Sequence, residues 1–325
     1  GVMALACSRA PRLATLCGVS GAVLGCVLGL LAAFFALGSG TPESLRIPWS
    51  VPGGSFHVAL DPLSAFFLLP IFGLSALAAL YGGEYLWAYR EKKGLGAPWF
   101  FFNLLVAGMA LTLAARNGLL FLMAWEGMTL ASYFLITFED EQESVREACW
   151  TYLIAAHIGM AFLLALFVLL GRPSGSLDFD GFAAGAGLAG TLVLLAVAGF
   201  GLKAGFMPFH VWLPEAHPAA PSHVSALMSG AMIKTGLYGL LRTFTFLGPP
   251  PAWWGWLLVA LGVTSGVLGV LFALAQHDLK RLLAYSSVEN IGIMALGLGT
   301  GMLGLSYGAP ELAVLGFAGG LLHVL

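Results

Sequence analysis

A helix must run for about 20 apolar residues, at 1.5 Å each, to cross the hydrocarbon core of a bilayer. The sequence offers such runs at 13–37, 62–83, 98–115, 118–138, 148–170, 188–217, 221–247, 253–276, 281–300 and 306–325. In hydrocarbon every backbone N–H and C=O must be satisfied within the chain, so runs of this length can only be helices. The fold class is therefore an all-α polytopic membrane protein with about ten spans. With 59% hydrophobic and 9% charged residues and a mean hydropathy of +0.91, no segment between the runs is long and polar enough for a soluble domain. That excludes a cofactor-binding module on this chain, and no nucleic-acid partner is expected. Cys7, Cys17, Cys26 and Cys149 have neither C-x-x-C spacing nor a matching histidine pair, so they read as small apolar residues and not as metal ligands. The chain also reads as a piece of a longer one: residues 1–6 resemble the tail of an apolar segment, and Leu325 falls inside another.

Basic residues outside the runs orient the bundle. With loops alternating sides, Arg9, Arg12, Arg90, Lys92, Lys93, Arg146, Lys280 and Arg281 fall on one side and Arg46, Arg116, Arg172 and Arg242 on the other, which makes the first side cytoplasmic. The acidic cluster Glu139, Asp140, Glu141, Glu143 and Glu147 lies on that same side and reads as a solvated loop face.

Lys203 interrupts this apolar pattern. It lies in the run Gly199-Phe200-Gly201-Leu202-Lys203-Ala204-Gly205-Phe206-Met207-Pro208-Phe209-His210. A cation at mid-bilayer costs roughly 2.5 to 3.5 kcal/mol on insertion scales, so such a residue is retained for a task. Gly199, Gly201 and Gly205 loosen the helix and Pro208 removes a donor, while Pro214 and Pro218 are expected to end the short half-helix that follows. The span 188–217 is thus predicted to be broken, with Lys203 near its centre. Irregular backbone at that depth is tolerated only beside protein or a water-filled cavity, and discontinuous helices mark transporter sites.

Other ionisable groups fall near the middles of their runs: Glu126 in 118–138, His157 in 148–170, Lys234 in 221–247 and Glu289 in 281–300. A carboxylate and an ammonium about 7 Å apart at an effective dielectric near 20 interact by about 2 kcal/mol. Burial alone lowers a lysine's pKa by several units. Lys203 would keep its proton with Glu126 close, and release it toward Lys234 with Glu126 drawn away. Each residue also has a static alternative. Glu126 can be a fixed salt-bridge partner, His157 a core histidine, and His210, His217 and His223 structural groups beside the break. Glu289 can hold a neighbouring helix, and Lys280-Arg281 can be a positive-inside anchor.

Four segments carry a resemblance to a family. They are Ala124-Trp125-Glu126-Gly127-Met128-Thr129-Leu130-Ala131-Ser132-Tyr133, the stretch from Lys203 to His217, Pro221-Ser222-His223-Val224-Ser225-Ala226-Leu227, and Asp278-Leu279-Lys280-Arg281-Leu282-Leu283-Ala284-Tyr285-Ser286-Ser287. In this order they resemble the antiporter-like subunits of respiratory complex I, Mrp antiporters and membrane-bound hydrogenases. Val288-Glu289-Asn290-Ile291-Gly292-Ile293 resembles the hydrogenase-4 component B and formate hydrogenlyase subunit 3 group.

The resemblance implies about fourteen helices, including two inverted five-helix repeats, each with a broken helix and half a proton path. Residues 1–97 would be N-terminal helices, 98–247 the first repeat, and 253–325 the start of a second, truncated repeat. By carry-over, Glu126 matches the family's key glutamate, Lys203 the broken-helix lysine and Lys234 the bridging lysine. His323 matches a histidine leading to the second repeat, whereas Ser229 stands where some relatives carry a histidine. The chain would be a subunit without redox chemistry or cofactor of its own, in a multi-pass complex of a prokaryotic cytoplasmic membrane. It would move protons beside other membrane subunits and a peripheral hydrogenase or quinone-reducing arm. A sodium/proton antiporter subunit of the Mrp type and a non-pumping scaffold are the alternatives.

Overall fold

The computed structural model describes residues 1–39, 43–51, 53–182 and 187–325. Its helices are α1 (Val2–Ala6), α2 (Pro11–Ser39), α3 (Pro62–Trp87), α4 (Gly96–Ala114), α5 (Gly118–Ile136), α6 (Glu143–Gly171), α7 (Ala189–Ala204), α8 (Leu213–Ala219), α9 (Ser222–Leu227), α10 (Lys234–Leu247), α11 (Ala252–Leu274), α12 (Leu279–Ser306) and α13 (Pro310–Leu322). Among the described residues nine helical spans are long and apolar enough to cross a membrane, with α7–α8 and α9–α10 each counted as one span. The all-α polytopic architecture follows from the apolar runs. The last run behaves differently: a left-handed Gly308 (φ +66) closes the turn after α12, and Pro310 then starts α13. The 13 residues of α13 rise only about 20 Å, less than the roughly 30 Å of a hydrocarbon core.

The helices fall into two compact units. The first comprises Gly1–Leu153 and Ala219–Met232, the second Ile154–Pro218 and Ile233–Leu325. In the first, α2 packs on α3 and α4, α4 on α5, and α9 on α3. In the second, α7 packs on α10, and α12 lies between α11 and α13. Small residues let backbones meet there: a Cβ on Gly262 would lie 2.8 Å from the Gly292 carbonyl oxygen, and one on Gly297 would lie 2.5 Å from Gly320 Cα. This is how membrane helices gain dispersion contact where lipid is as apolar as the side chains.

One element was not foreseen. Between α2 and α3 the chain forms an antiparallel hairpin, β1 (Glu43–Ile47) with β2 (Phe56–Leu60), in which Leu45 faces Val58. Burial alternates along β2, with His57 and Ala59 inside. The hairpin docks on the α4–α5 turn, where the Arg116 N–H donates to the His57 carbonyl at 2.8 Å and Val58 bridges Ala115.

Arg116 is accordingly not a plain loop cation but a buried fastener, 7% exposed. Its guanidinium lies 3.2 Å from Asp61 and donates to Ser64 Oγ at 3.1 Å and to the Ala115 carbonyl at 3.0 Å. Asp61 also caps α3, accepting from the Ser64 N–H at 2.9 Å. Two roles on one carboxylate can be separated by substitution. Asp61→Asn keeps the cap acceptor but removes the countercharge of the buried guanidinium, for an expected loss of about 3 kcal/mol. Asp61→Ala should cost about 1 kcal/mol more through the lost cap. Thermal unfolding in detergent should rank wild type above Asn above Ala; equal midpoints for all three would refute the assignment.

Candidate functional site

The broken span lies in the second unit. Helix α7 ends at Ala204 because Gly205 takes the left-handed conformation (φ +82), its N–H donating to the Gly201 carbonyl at 2.8 Å. A Cβ there would come within 2.3 Å of Leu213 Cδ1. After a 3-10 turn over Phe209–Trp212 the chain resumes as α8. Pro214 stands in the first turn of α8 and Pro218 in its last, so Pro214 helps to start the half-helix where it was expected to end it. A missing N–H costs nothing in a first turn. Gly199 and Gly201 remain helical; a Cβ on Gly199 would lie 2.5 Å from Leu163 Cδ2, which makes it a packing position.

The break exposes backbone groups, and the protein answers them itself. Trp212 Nε1 donates to the Leu202 carbonyl at 2.7 Å, and the Met207 N–H donates to Ser265 Oγ at 3.0 Å. Lys203, 4% exposed, occupies the last turn of α7, where the negative end of the helix dipole favours a cation.

Lys234 opens α10 directly after a π-helical turn over Met228–Met232. Two residues on, a Cβ at Gly236 would lie 2.6 Å from the Phe200 carbonyl oxygen and 2.9 Å from the Ala204 nitrogen. The backbone that carries Lys234 thus touches the turn that carries Lys203. Lys234 is half-buried, and its Nζ donates to the Val324 carbonyl at 2.5 Å. Beside Val324, His323 Nε2 is hydrogen-bonded to Asn290 Oδ1 at 2.8 Å, and Asn290 Nδ2 donates to the Ser286 carbonyl at 2.7 Å. Lys234, His323 and Asn290 therefore share one polar locus.

The Asp278-Lys280-Arg281 motif does more than mark a membrane face. Arg281 grips Glu215 of α8 through two bonds of 2.6 and 2.7 Å, and Lys280 donates to the Pro218 carbonyl at 3.3 Å. Both cations hold the half-helix. His210 is half-buried in the 3-10 turn, its ring 6.0 Å from that of Tyr285, and its Nδ1 has no hydrogen-bond partner among the described residues. Glu289 is half-buried and lines a groove of about 460 Å³ between α11 and α12, with Gly262, Gly266 and Ile293. His157 lies on an exposed strip of α6 with Ile154 and Ile158.

Glu126 belongs to the first unit, half-buried midway along α5. Thr129 and Ser132, which follow it on α5, return their hydroxyls to backbone carbonyls of the same helix. Two helpers at the break were not anticipated. Ser265 sits in a span read as wholly apolar, and nothing in the sequence distinguishes the Trp212 indole from any interfacial tryptophan. Asn290 was visible only as part of a motif. Among the described residues no group of three His, Cys, Asp or Glu is placed to hold a metal ion.

Fold and site together define a multi-pass helical membrane protein built around a discontinuous helix with a buried lysine at the break. Comparison with known proteins gives the family. The family profile described as NADH:quinone oxidoreductase/Mrp antiporter, TM, matches residues 115–320, and the chain belongs to that family. It is 43% identical over 309 residues to hydrogenase-4 component B of Escherichia coli, an alignment covering 93% of this chain and 46% of the relative. It is 35% identical over 274 residues to formate hydrogenlyase subunit 3 of the same organism, covering 83% and 43%. The chain thus spans about half the length of the curated relatives it matches. A solved Mrp complex from Dietzia sp. contains a chain that superposes with a TM-score of 0.81 at 26% identity, over 99% of this chain and 35% of that one. Both named relatives are parts of larger assemblies.

The break itself can be tested. Gly205→Ala forces a β-carbon into the left-handed region, at about 1–2 kcal/mol, and pushes on Leu213 at the start of α8. Amide hydrogen exchange should accelerate across 206–213 while the α4–α5 region is unchanged. Unaltered exchange at 206–213 would show that Gly205 does not set the break.

Proposed function

We propose that this chain is a proton-translocating membrane subunit of a redox-driven complex of the hydrogenase-4 or formate hydrogenlyase kind, in a prokaryotic cytoplasmic membrane. The observation that carries the reading is Lys203: a buried lysine in the last turn of a broken helix whose backbone is sealed by Trp212 and Ser265. Its backbone turn lies against the helix of Lys234. The likeness to hydrogenase-4 component B supports the choice of complex.

In this reading Glu126 and Lys203 are the ionisable groups on which proton movement depends. The Lys203 proton passes to Lys234, and the His323–Asn290 locus takes it onward. His210, beside the break, is the group that exchanges with water. Glu289 and His157 face a groove and an outer strip, and no step is assigned to them. Residues 98–247 form one five-helix repeat, residues 253–325 begin its inverted counterpart, and 1–97 supply the preceding helices. Electrons move in a separate peripheral arm, hydrogenase or quinone-reducing, docked through other membrane subunits.

The test uses the full-length chain in its native complex. Lys203→Ala and Glu126→Gln should each abolish redox-coupled proton movement while subunit composition stays intact. Lys203→Arg should fail as well, because a guanidinium does not release its proton. Normal proton movement in Lys203→Ala would overturn the reading and favour a scaffold. The Mrp likeness motivates a second arm of the same experiment: sodium-dependent proton flux, lost in Glu126→Gln, would mark a sodium/proton antiporter.

A further inference from the structure

Tyr81 and Tyr85 of α3 and Tyr89, in the turn that follows it, are spaced four residues apart along the chain. Their rings form a ladder, with centroids 6.0 Å apart from Tyr81 to Tyr85 and 5.8 Å from Tyr85 to Tyr89. At its outer end the Tyr89 hydroxyl donates to Glu139 Oε1 at 2.8 Å. Glu139 is half-buried at the edge of the acidic loop, and its second oxygen accepts from Gln142 Nε2 at 2.6 Å. At the inner end the Tyr85 ring lies 5.5 Å from the imidazole of His223.

His223 is 1% exposed and lies in the first turn of α9, walled by Trp99 and Phe102 at ring distances of 6.4 and 5.8 Å. Gly82 makes room for it: a Cβ there would lie 2.8 Å from the imidazole Cδ2. All of these residues belong to the first unit. The span that His223 opens continues through the π-helical turn to Lys234.

We propose that Glu139, Tyr89, Tyr85 and His223 form a proton-uptake path from the acidic loop to a buried histidine. The path rests on the proton-translocating reading given above. Phenylalanine at 85 and 89 would pack as well; the hydroxyls supply the donors and acceptors a relay needs. The bond to Glu139, and after it the one to Tyr85, raises the Tyr89 pKa, so this phenol stays protonated and relays by accepting one proton while donating another. The steps balance. Glu139 takes a proton from water and gives it to Tyr89 Oη as the Tyr89 proton moves to Tyr85 Oη, and a movement that brings Tyr85 Oη to the imidazole, packed here at a ring distance of 5.5 Å, hands the Tyr85 proton to His223. Rotation of the two hydroxyls resets the chain. Around the mouth, Lys93 donates to the Phe138 carbonyl and lies 3.0 Å from Glu141 and 3.7 Å from Asp140. The Phe138 ring packs 5.1 Å from that of Tyr89. Arg90 is turned away, on Trp87 and Glu91.

The test is redox-driven proton uptake into inverted membrane vesicles holding the full-length chain in its native complex. The double variant Tyr85→Phe/Tyr89→Phe keeps both rings and removes only the relay. Uptake should slow about tenfold or more, with assembly and electron transfer from the peripheral arm to an artificial acceptor unchanged. Tyr81→Phe, whose parent side chain is exposed beyond the path, should behave as wild type. Glu139→Gln should shift the pH dependence of uptake, an effect that a packing role would not produce. Wild-type uptake in the double phenylalanine variant overturns the path and leaves the proton-translocating reading standing. A wild-type complex that moves no protons overturns both. Should His223→Gln fail to assemble, the phenylalanine pair still decides.

Discussion

The structure of this chain turns on how a helix can stop in the middle of a membrane without stranding its backbone. Each unsatisfied peptide group in hydrocarbon costs several kcal/mol, a penalty larger than most packing gains. Three local devices meet it here. The left-handed Gly205 folds its N–H back on Gly201, the Trp212 indole reaches the Leu202 carbonyl, and Ser265 accepts from the Met207 N–H. The last device comes from α11, which ties that helix to the break even though most of its surface faces outward. Lys203 is therefore held in a turn whose neighbouring backbone groups are already hydrogen-bonded.

The second requirement is that the half-helix after the break should not drift. An α8 of seven residues is too short to be stable alone. It is held at both ends by α12: Arg281 takes Glu215 near its start, and Lys280 takes the Pro218 carbonyl near its end. Close backbone contact then passes this restraint through the second unit, because α12 meets α11 at Gly262 and Gly292 and meets α13 at Gly297 and Gly320. A bundle fixed in this way can keep a lysine's surroundings dry or wet reproducibly, which a loosely packed break could not.

Much of this was legible in advance, for identifiable reasons. Span positions follow from run length, since no other regular structure hides so many consecutive apolar residues. The break at 205–208 follows from backbone chemistry that Gly and Pro carry wherever they occur. What escaped notice depended on pairings between distant residues. The β1–β2 hairpin has a solvent-facing first strand with no alternation to betray it. Arg116 resembled any loop cation until Asp61, Ser64 and the α4 carbonyls gathered round it. Ser265 is one hydroxyl in an apolar span, and such hydroxyls normally return to their own helix, as Thr264 does to the Ala260 carbonyl. Lys203 and Lys234 drew notice because a charge in a greasy run is conspicuous, and His323 because of the family resemblance. Tyr85 and Tyr89 did not, because tyrosine near a helix end usually marks the membrane interface.

The chain also divides its cations by task. Arginine makes the fixed pairs: Arg116 with Asp61, Arg281 with Glu215, and Arg242 stacked on Tyr238 with its Nε on that residue's hydroxyl. A guanidinium keeps its charge under any burial found in proteins and offers a planar fork, so such pairs hold geometry without any risk of titration. The cations deep in the broken span and the span after it are both lysines, whose compact ammonium loses its proton readily when desolvated. Had the break carried arginine, the same sealed backbone would hold a permanent charge, and the site could only anchor a carboxylate. With lysine at 203 and again at 234, where the Nζ already donates to a main-chain carbonyl, the broken span and the span after it carry the cation type that can release a proton. The proposed proton step rests on that choice of residue type as much as on the broken helix.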